Sequence, residues 1–108
     1  MRTLKFIVEG QDIKLDPTCD FSGLVPGTEG YLRAQFSFSP EWRGYAKVAA
    51  FFSPLGREYE PKVLRDGISC DIPAEALEKR SFKIQIQGKR RGVKMNTHKV
   101  TVRQNGGK

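Results

Sequence analysis

The chain has 108 residues, of which 38% are hydrophobic and 29% are charged, and its formal net charge is +7. This length predicts one domain over residues 1–108 with a single core, and the composition excludes a disordered chain. The longest apolar run, Val48 to Phe52, is far shorter than the ~20 residues that a membrane-spanning helix needs. The N-terminal segment reaches Glu9 too early for a secretory signal, so we expect a protein made in the cytoplasm that binds no membrane.

Alternation of apolar and polar residues predicts strands along most of the first half. Short strands are expected at residues 3–8 and 13–15, followed by a loop at 16–29 that holds two prolines and two glycines. Residues 31–39 alternate most regularly, with one apolar and one polar face, as strands of antiparallel sheets do. After a compact turn, residues 45–52 are apolar on both faces. This pattern is typical of a central strand or of one whose outer face meets a partner.

In the second half, strands are expected at 59–64 and 68–72, on either side of Asp66-Gly67. An Asp-Gly pair between two strands favours a β-hairpin. Residues 73–78 predict one short helical turn that begins at Pro73. Further strands are expected at 81–87 and 97–103, with a basic loop at 88–92 between them and a frayed end at 104–108.

Seven or eight short strands with turns between them are typical of an antiparallel, immunoglobulin-like β-sandwich. An OB-type or SH3-like barrel is the alternative all-β fold. The inward positions of the alternating segments predict the core, which comprises Leu32, Ala34, Phe36, Phe38, Val48, Phe82, Ile84, Ile86, Val100 and Val102.

The chain has two cysteines, Cys19 and Cys70, and one histidine, His98. These are too few for a structural zinc site, which takes about four closely spaced ligands. Cys70 is expected to be an ordinary strand residue, and His98 is in phase with Val100 and Val102, which predicts an inward side chain. Free thiols are expected in a reducing compartment, although the sequence leaves a disulfide open. We find no Walker-type glycine loop and no acid–base pair, and we expect no enzyme, no catalytic residue, no metal and no cofactor.

Positive charge concentrates in the second half of the chain. Residues 1–54 carry six basic and six acidic side chains, whereas residues 55–108 carry thirteen basic and six acidic ones, and no acid follows Glu78. Such a cluster attracts acidic partners, although it is also compatible with a solvated hairpin that keeps a small protein soluble. The basic candidates for partner binding are Lys83, Lys89, Arg90, Arg91, Lys94, Lys99 and Arg103.

Nucleic acid is expected to bind this segment only weakly and non-specifically. Single-stranded bases stack on exposed rings, and the only ring after Tyr59 is Phe82, whose position predicts a core residue.

Three further aromatic residues are candidates for a protein contact. Trp42 either anchors the turn at 40–44 on the core or forms an exposed interface residue. Tyr45 and Phe51 form a contact surface if they share the outer face of their strand, unless a strand or the loop 16–29 covers them.

Residues 31–44 read Tyr-Leu-Arg-Ala-Gln-Phe-Ser-Phe-Ser-Pro-Glu-Trp-Arg-Gly. This segment resembles one in the N-terminal domain of upper baseplate proteins from phages of Gram-positive bacteria. There a strand with alternating aromatics ends in Ser-x-Glu-Trp-x-Gly, and the next strand carries a lysine and then a phenylalanine. The matching features of this chain are Lys47, Phe51, Asp66-Gly67, Ile72-Pro73, the strand from Phe82 to Gly88, and Asn96-Thr97.

The resemblance implies a β-sandwich that docks into tail or baseplate assemblies. Our first hypothesis is therefore a phage structural or assembly module that binds protein subunits, either other phage proteins or further copies of itself, and that enters the virion. The second is a phage-encoded inhibitor of a bacterial defence nuclease, similar in role to an anti-CRISPR protein, that acts in the host cytoplasm through its basic C-terminal hairpin. The third is a direct nucleic-acid binder.

Overall fold

The computed structural model describes residues 1–104. Within this range nine strands form two facing sheets, which confirms the all-β sandwich. The first sheet has the order β2-β1-β3-β6 and contains β1 (Arg2–Glu9), β2 (Asp12–Leu15), β3 (Leu32–Phe38) and β6 (Ser69–Asp71). The second sheet contains β4 (Ala46–Phe52), β5 (Lys62–Val63), β7 (Ser81–Arg90), β8 (Val93–Asn96) and β9 (Val100–Arg103).

The strand count exceeds the expected seven or eight because the basic C-terminal segment forms three strands. In the second sheet β4 lies between β5 and β7, and β8 and β9 lie end to end along the other side of β7. Residues 97–99 separate β8 from β9, and Thr97 still bonds to β7. Its Oγ1 accepts a hydrogen bond from Ile86 N at 3.0 Å, and its own backbone N donates to Ile86 O at 2.9 Å. The Thr97 side chain thus substitutes for one backbone bond of the sheet.

The two helical segments are both single 3-10 turns. One spans Pro40–Trp42 and the other Ala74–Leu77, so the chain has one more helical turn than the single one expected. In both, a proline with a fixed φ opens the turn or stands just before it. No helix within residues 1–104 has the length and apolar character needed to cross a membrane.

One strand pairing departs from the antiparallel pattern. β1 and β3 run parallel, from Arg2 opposite Leu32 to Val8 opposite Phe38. A parallel pair needs a long connection, and here β2 and the loop after it carry the chain back. The loop is tied to the middle of β1, since Asp16 N donates to Lys5 O at 3.0 Å.

The Asp66-Gly67 turn does not form the predicted hairpin. It connects β5 in the second sheet to β6 in the first, and the Asp66 carboxylate accepts hydrogen bonds from the backbone N of Ile68 and Ser69 at 2.9 and 2.7 Å. The Ser69 hydroxyl and these amides lower the pKa of Asp66 to about 2. Asp66 and Gly67 form the expected turn. The strands on either side of it do not pair with each other, because β5 pairs with β4 in the second sheet and β6 pairs with β3 in the first.

The core lies between the two sheets. Most of the predicted positions are buried, and Phe38 and Val100 are half-buried at its margin. Val48 was wrongly placed there, since it lies opposite the exposed Val63 on the outer face of β4. The confirmed buried positions are Leu32, Ala34, Phe36, Phe82, Ile84, Ile86 and Val102; β1 adds Leu4, Phe6 and Val8, which were not predicted.

Candidate protein-binding surface

The outer face of the second sheet carries most of the basic candidates. Alternate residues of β7, from Phe82 to Gly88, are buried against the first sheet, so the residues between them point away from it. Thr101 lies opposite Lys83, Lys94 opposite Lys89, and Arg103 opposite Ser81. We call the cations of this face the basic strip; its members are Lys83, Lys89, Lys94, Lys99 and Arg103.

The basic strip is long rather than compact. Lys89 lies six positions after Lys83 along β7, which corresponds to about 20 Å at ~3.3 Å per residue. Neutral amide side chains occupy the middle, where Gln87 lies opposite Asn96. The strip therefore offers two cationic ends with hydrogen-bonding groups between them.

Lys89 and Lys94 face each other directly across β7 and β8. Like charges in directly opposite positions destabilise a β-sheet. Neither lysine lies within 4.0 Å of a carboxylate among residues 1–104. An acidic partner would relieve this repulsion.

Lys99 covers an aromatic ring of this face, that of Phe52. Its ammonium lies 3.9 Å from the centroid of the Phe52 ring, and Phe52 is only 6% exposed. A cation above an aromatic face is attracted by the ring quadrupole. Glu58 lies opposite Phe52 in an isolated antiparallel bridge, on the side of β4 away from β7. Its carboxylate therefore lies on the same face of the sheet as Phe52. The basic strip thus presents charged and amide groups, whereas the Phe52 ring is covered by the Lys99 ammonium.

Arg90 and Arg91 lie apart from the strip, at the tip of the β7–β8 hairpin. The predicted loop at 88–92 is shorter than expected, since β7 continues to Arg90 and the turn consists of Arg91 and Gly92, with φ of 42° and 81°. Two residues of positive φ make the type of turn that suits a tight hairpin. Arg90 points to the opposite side of the hairpin, where its Nη1 lies 3.4 Å from Arg43 O.

The three aromatic candidates do not form an exposed contact surface. Trp42 is fully buried and donates from Nε1 to Gly10 O at 2.9 Å, which supports the anchoring role. Phe51 is fully buried beside Phe82, and Tyr45 is half-buried against the Trp42 ring at 5.6 Å. The condition under which Tyr45 and Phe51 would form a contact surface, a shared outer face, is not met, because Phe51 lies on the inner face of β4 opposite Ile84. Both rows of β4 are apolar, so alternation alone could not distinguish its inner face from its outer one.

The buried cysteine and the histidine lie in different surroundings. Cys70 is a buried strand residue, and burial raises the pKa of its thiol to about 12. His98 is exposed rather than inward, and its Nε2 lies 2.5 Å from Asp12 Oδ1. The inward prediction failed because the break at Thr97 resets the alternation before β9. Residues 1–104 contain no group of three or more His, Cys, Asp or Glu side chains placed to hold a metal ion.

Sequence reasoning missed a cleft at the end of β3. It encloses about 460 Å³ and is lined by residues that include Phe36, Phe38, Lys47 and Ile68. These residues come from β3, β4 and the turn before β6, so only the tertiary structure brings them together.

Comparisons with protein-family models, with curated proteins and with solved structures find no match for this chain.

Proposed function

We propose that this chain is a non-enzymatic protein-interaction module that binds an acidic protein surface through the basic strip. The observation that carries the proposal is the placement of five cations on one sheet face, on and beside strands β7, β8 and β9, none of which contains a carboxylate. A face on which one sign of charge dominates accelerates association with a partner of the opposite sign and selects against others.

A protein partner suits this face better than a nucleic acid does. Single-stranded nucleic acid binds where bases stack on exposed rings, and Phe52 lies beneath Lys99. The central amides of Gln85, Gln87 and Asn96 are half-buried. Amide side chains can donate and accept the hydrogen bonds that protein–protein interfaces typically contain. Duplex DNA remains a ligand only through phosphate contacts, which are weak at physiological salt.

The resemblance to phage upper baseplate proteins favours a tail or baseplate subunit as the partner. The second candidate is a bacterial defence nuclease, which the same cationic face would inhibit by occupying an acidic surface. These two roles predict different captured proteins. Pull-down from phage-infected cells followed by mass spectrometry should recover tail proteins in the first case and a host nuclease in the second.

Charge reversal on the strip tests the proposal directly. The variant carries Lys89→Glu and Lys94→Glu, and the matched control carries Lys14→Glu and Arg65→Glu, which change the net charge equally at exposed positions away from β7–β9. Binding to immobilised poly-L-glutamate at low salt should weaken in the strip variant and stay at the wild-type level in the control. A random DNA duplex should bind more weakly and dissociate near physiological salt. Equal losses in both variants, or tight salt-resistant DNA binding, would contradict the proposal.

A further inference from the structure

One edge of β3 is open at its C-terminal end. β6 pairs only with Arg33–Gln35, and Phe36 N then donates to Ile68 O at 2.7 Å. Even-numbered residues of β3 direct their backbone groups to this side, since Leu32 O accepts from Ile72 N. Beyond Ile68, the carbonyl of Phe36 and both backbone groups of Phe38 have no hydrogen-bond partner among residues 1–104. Such an edge is a template for a further strand.

The cleft at the end of β3 follows this open edge. Its apolar wall includes Phe36, Phe38 and Trp42, and Ile68 closes one end. Its cations are Lys47, Arg43 and Lys5, and Asp16 is its one carboxylate. Asp16 lies beside Lys5 and can neutralise its charge. The positive charges of Lys47 and Arg43 therefore have no carboxylate left to balance them among the residues that line the cleft.

Lys47 is the most informative of these cations. It lies on the inner row of β4, opposite Gly88, and is half-buried. Its Nζ lies 5.0 Å from the centroid of the Phe38 ring and, among residues 1–104, donates only to Tyr45 O, at 3.2 Å. No carboxylate of residues 1–104 lies within 4.0 Å of it. A partly desolvated ammonium without a counter-ion favours binding of an anion.

We propose that the open edge of β3 at residues 36–38 accepts an extended acidic peptide as an added strand, with one peptide carboxylate paired to Lys47. Strand addition supplies main-chain hydrogen bonds, and pockets beside the edge select alternate side chains. The free backbone groups of Phe36 and Phe38 can form the main-chain hydrogen bonds. The cleft beside them, with its cations and aromatic rings, can hold the side chains of the peptide. This site is separate from the basic strip, which lies on the other face of the second sheet, and does not depend on its function.

The first test uses a capped hexapeptide that alternates glutamate with threonine, titrated into the ¹⁵N-labelled protein. We expect shifts of the amide resonances of Phe38, Lys47 and Ile68, together with slower hydrogen exchange at Phe38 N. A matched peptide with glutamine for glutamate should bind about tenfold more weakly, as loss of a charge-assisted bond requires. A peptide that is N-methylated at every residue keeps the carboxylates but lacks the N–H donors, and it should also bind more weakly. Equal binding by either control, or no binding by the acidic peptide, would overturn the proposal.

The second test separates this site from the basic strip. Lys47→Met keeps the length of the side chain and removes its charge, and Lys83→Met does the same on the strip. Binding of the acidic peptide, measured from the shift of the Phe38 amide resonance, should fall about tenfold in the first variant and stay unchanged in the second. A thymidine hexanucleotide carries charge without peptide groups and should leave the Phe38 resonance unshifted. Equal effects of the two variants, or a shift of Phe38 by the oligonucleotide, would refute strand addition at this edge.

Discussion

Gly88 and Trp42 are in such close contact that a Cβ atom at Gly88 would lie 2.6 Å from Cζ3 of Trp42. The indole is held in place by its Nε1 hydrogen bond to Gly10 O, in the turn between β1 and β2. Trp42 therefore links the first sheet to the middle of β7. Gly88 was expected in a loop, but it is a buried strand residue whose missing side chain makes room for the indole.

Replacing Gly88 with alanine should destabilise the protein by about 1–3 kcal/mol, the usual cost of overpacking a core. Tyr45 Cδ2, at 3.1 Å from the same Cβ position, limits the room into which the ring could move. Urea denaturation measures the effect. Combining Gly88→Ala with Trp42→Phe, whose shorter ring leaves space, should give a loss smaller than the sum of the two single losses. Strict additivity would show that the contact does not limit this position.

Phe36→Ala should reduce the free energy of unfolding by roughly 3–5 kcal/mol. The ring is 2% exposed and stacks on Phe6 at a centroid distance of 5.2 Å, so its removal leaves a cavity between β1 and β3. Leu55→Ala is the matched control, because Leu55 is 99% exposed and its removal should leave the melting temperature unchanged. A wild-type melting temperature for Phe36→Ala would disprove the importance of this stack.

The contact between His98 and Asp12 predicts a dependence of stability on pH. The Asp12 carboxylate, and then the Lys99 carbonyl, raise the pKa of His98 above its ordinary value of 6.5. Ile13 N lies 3.3 Å from the same Nε2 and can donate to it only when that nitrogen is unprotonated. Because the pKa is raised in the folded state, the stabilisation is complete below pH 6.5 and disappears as the pH rises through the folded value.

The effect should stay below about 1 kcal/mol, since both side chains are more than half exposed. Asp12→Asn should lower the His98 titration midpoint measured by NMR and flatten the stability profile over the same pH range. Lys14→Gln, a neighbouring change on the same strand, serves as the control. An unchanged midpoint in Asp12→Asn would show that the carboxylate does not hold the imidazolium.

The two thiols should differ in reactivity. Burial raises the pKa of Cys70 to about 12, so at neutral pH its reactive thiolate is scarce and the reagent cannot reach it. Cys19 is half-exposed in the loop before β3. Iodoacetamide should therefore modify Cys19 alone in the folded protein and both cysteines in urea, as mass spectrometry would show. Modification of Cys70 in the folded protein at a similar rate would contradict its burial.

Local patterns in the sequence were sufficient to predict the fold class and much of the core. Strict alternation at 31–39 and 81–87 predicted the inner faces of β3 and β7, because a strand with one wet face must place its apolar side chains on the other. The short helical turn near Pro73 was predicted for a similarly local reason, since proline restricts the φ values available to the chain.

Whatever depended on contacts between distant segments was decided by the tertiary structure. Both rows of β4 are apolar, so only the partner sheet determined that Phe51 faces the core and Phe52 lies outside beneath Lys99. The Asp66-Gly67 turn fixed a change of direction but not the sheet that each neighbouring strand joins. The sequence determined that the last quarter of the chain is basic. Strand register then placed five of those charges on one face and turned Arg90 away, because a one-residue difference in position reverses the side to which a strand residue points.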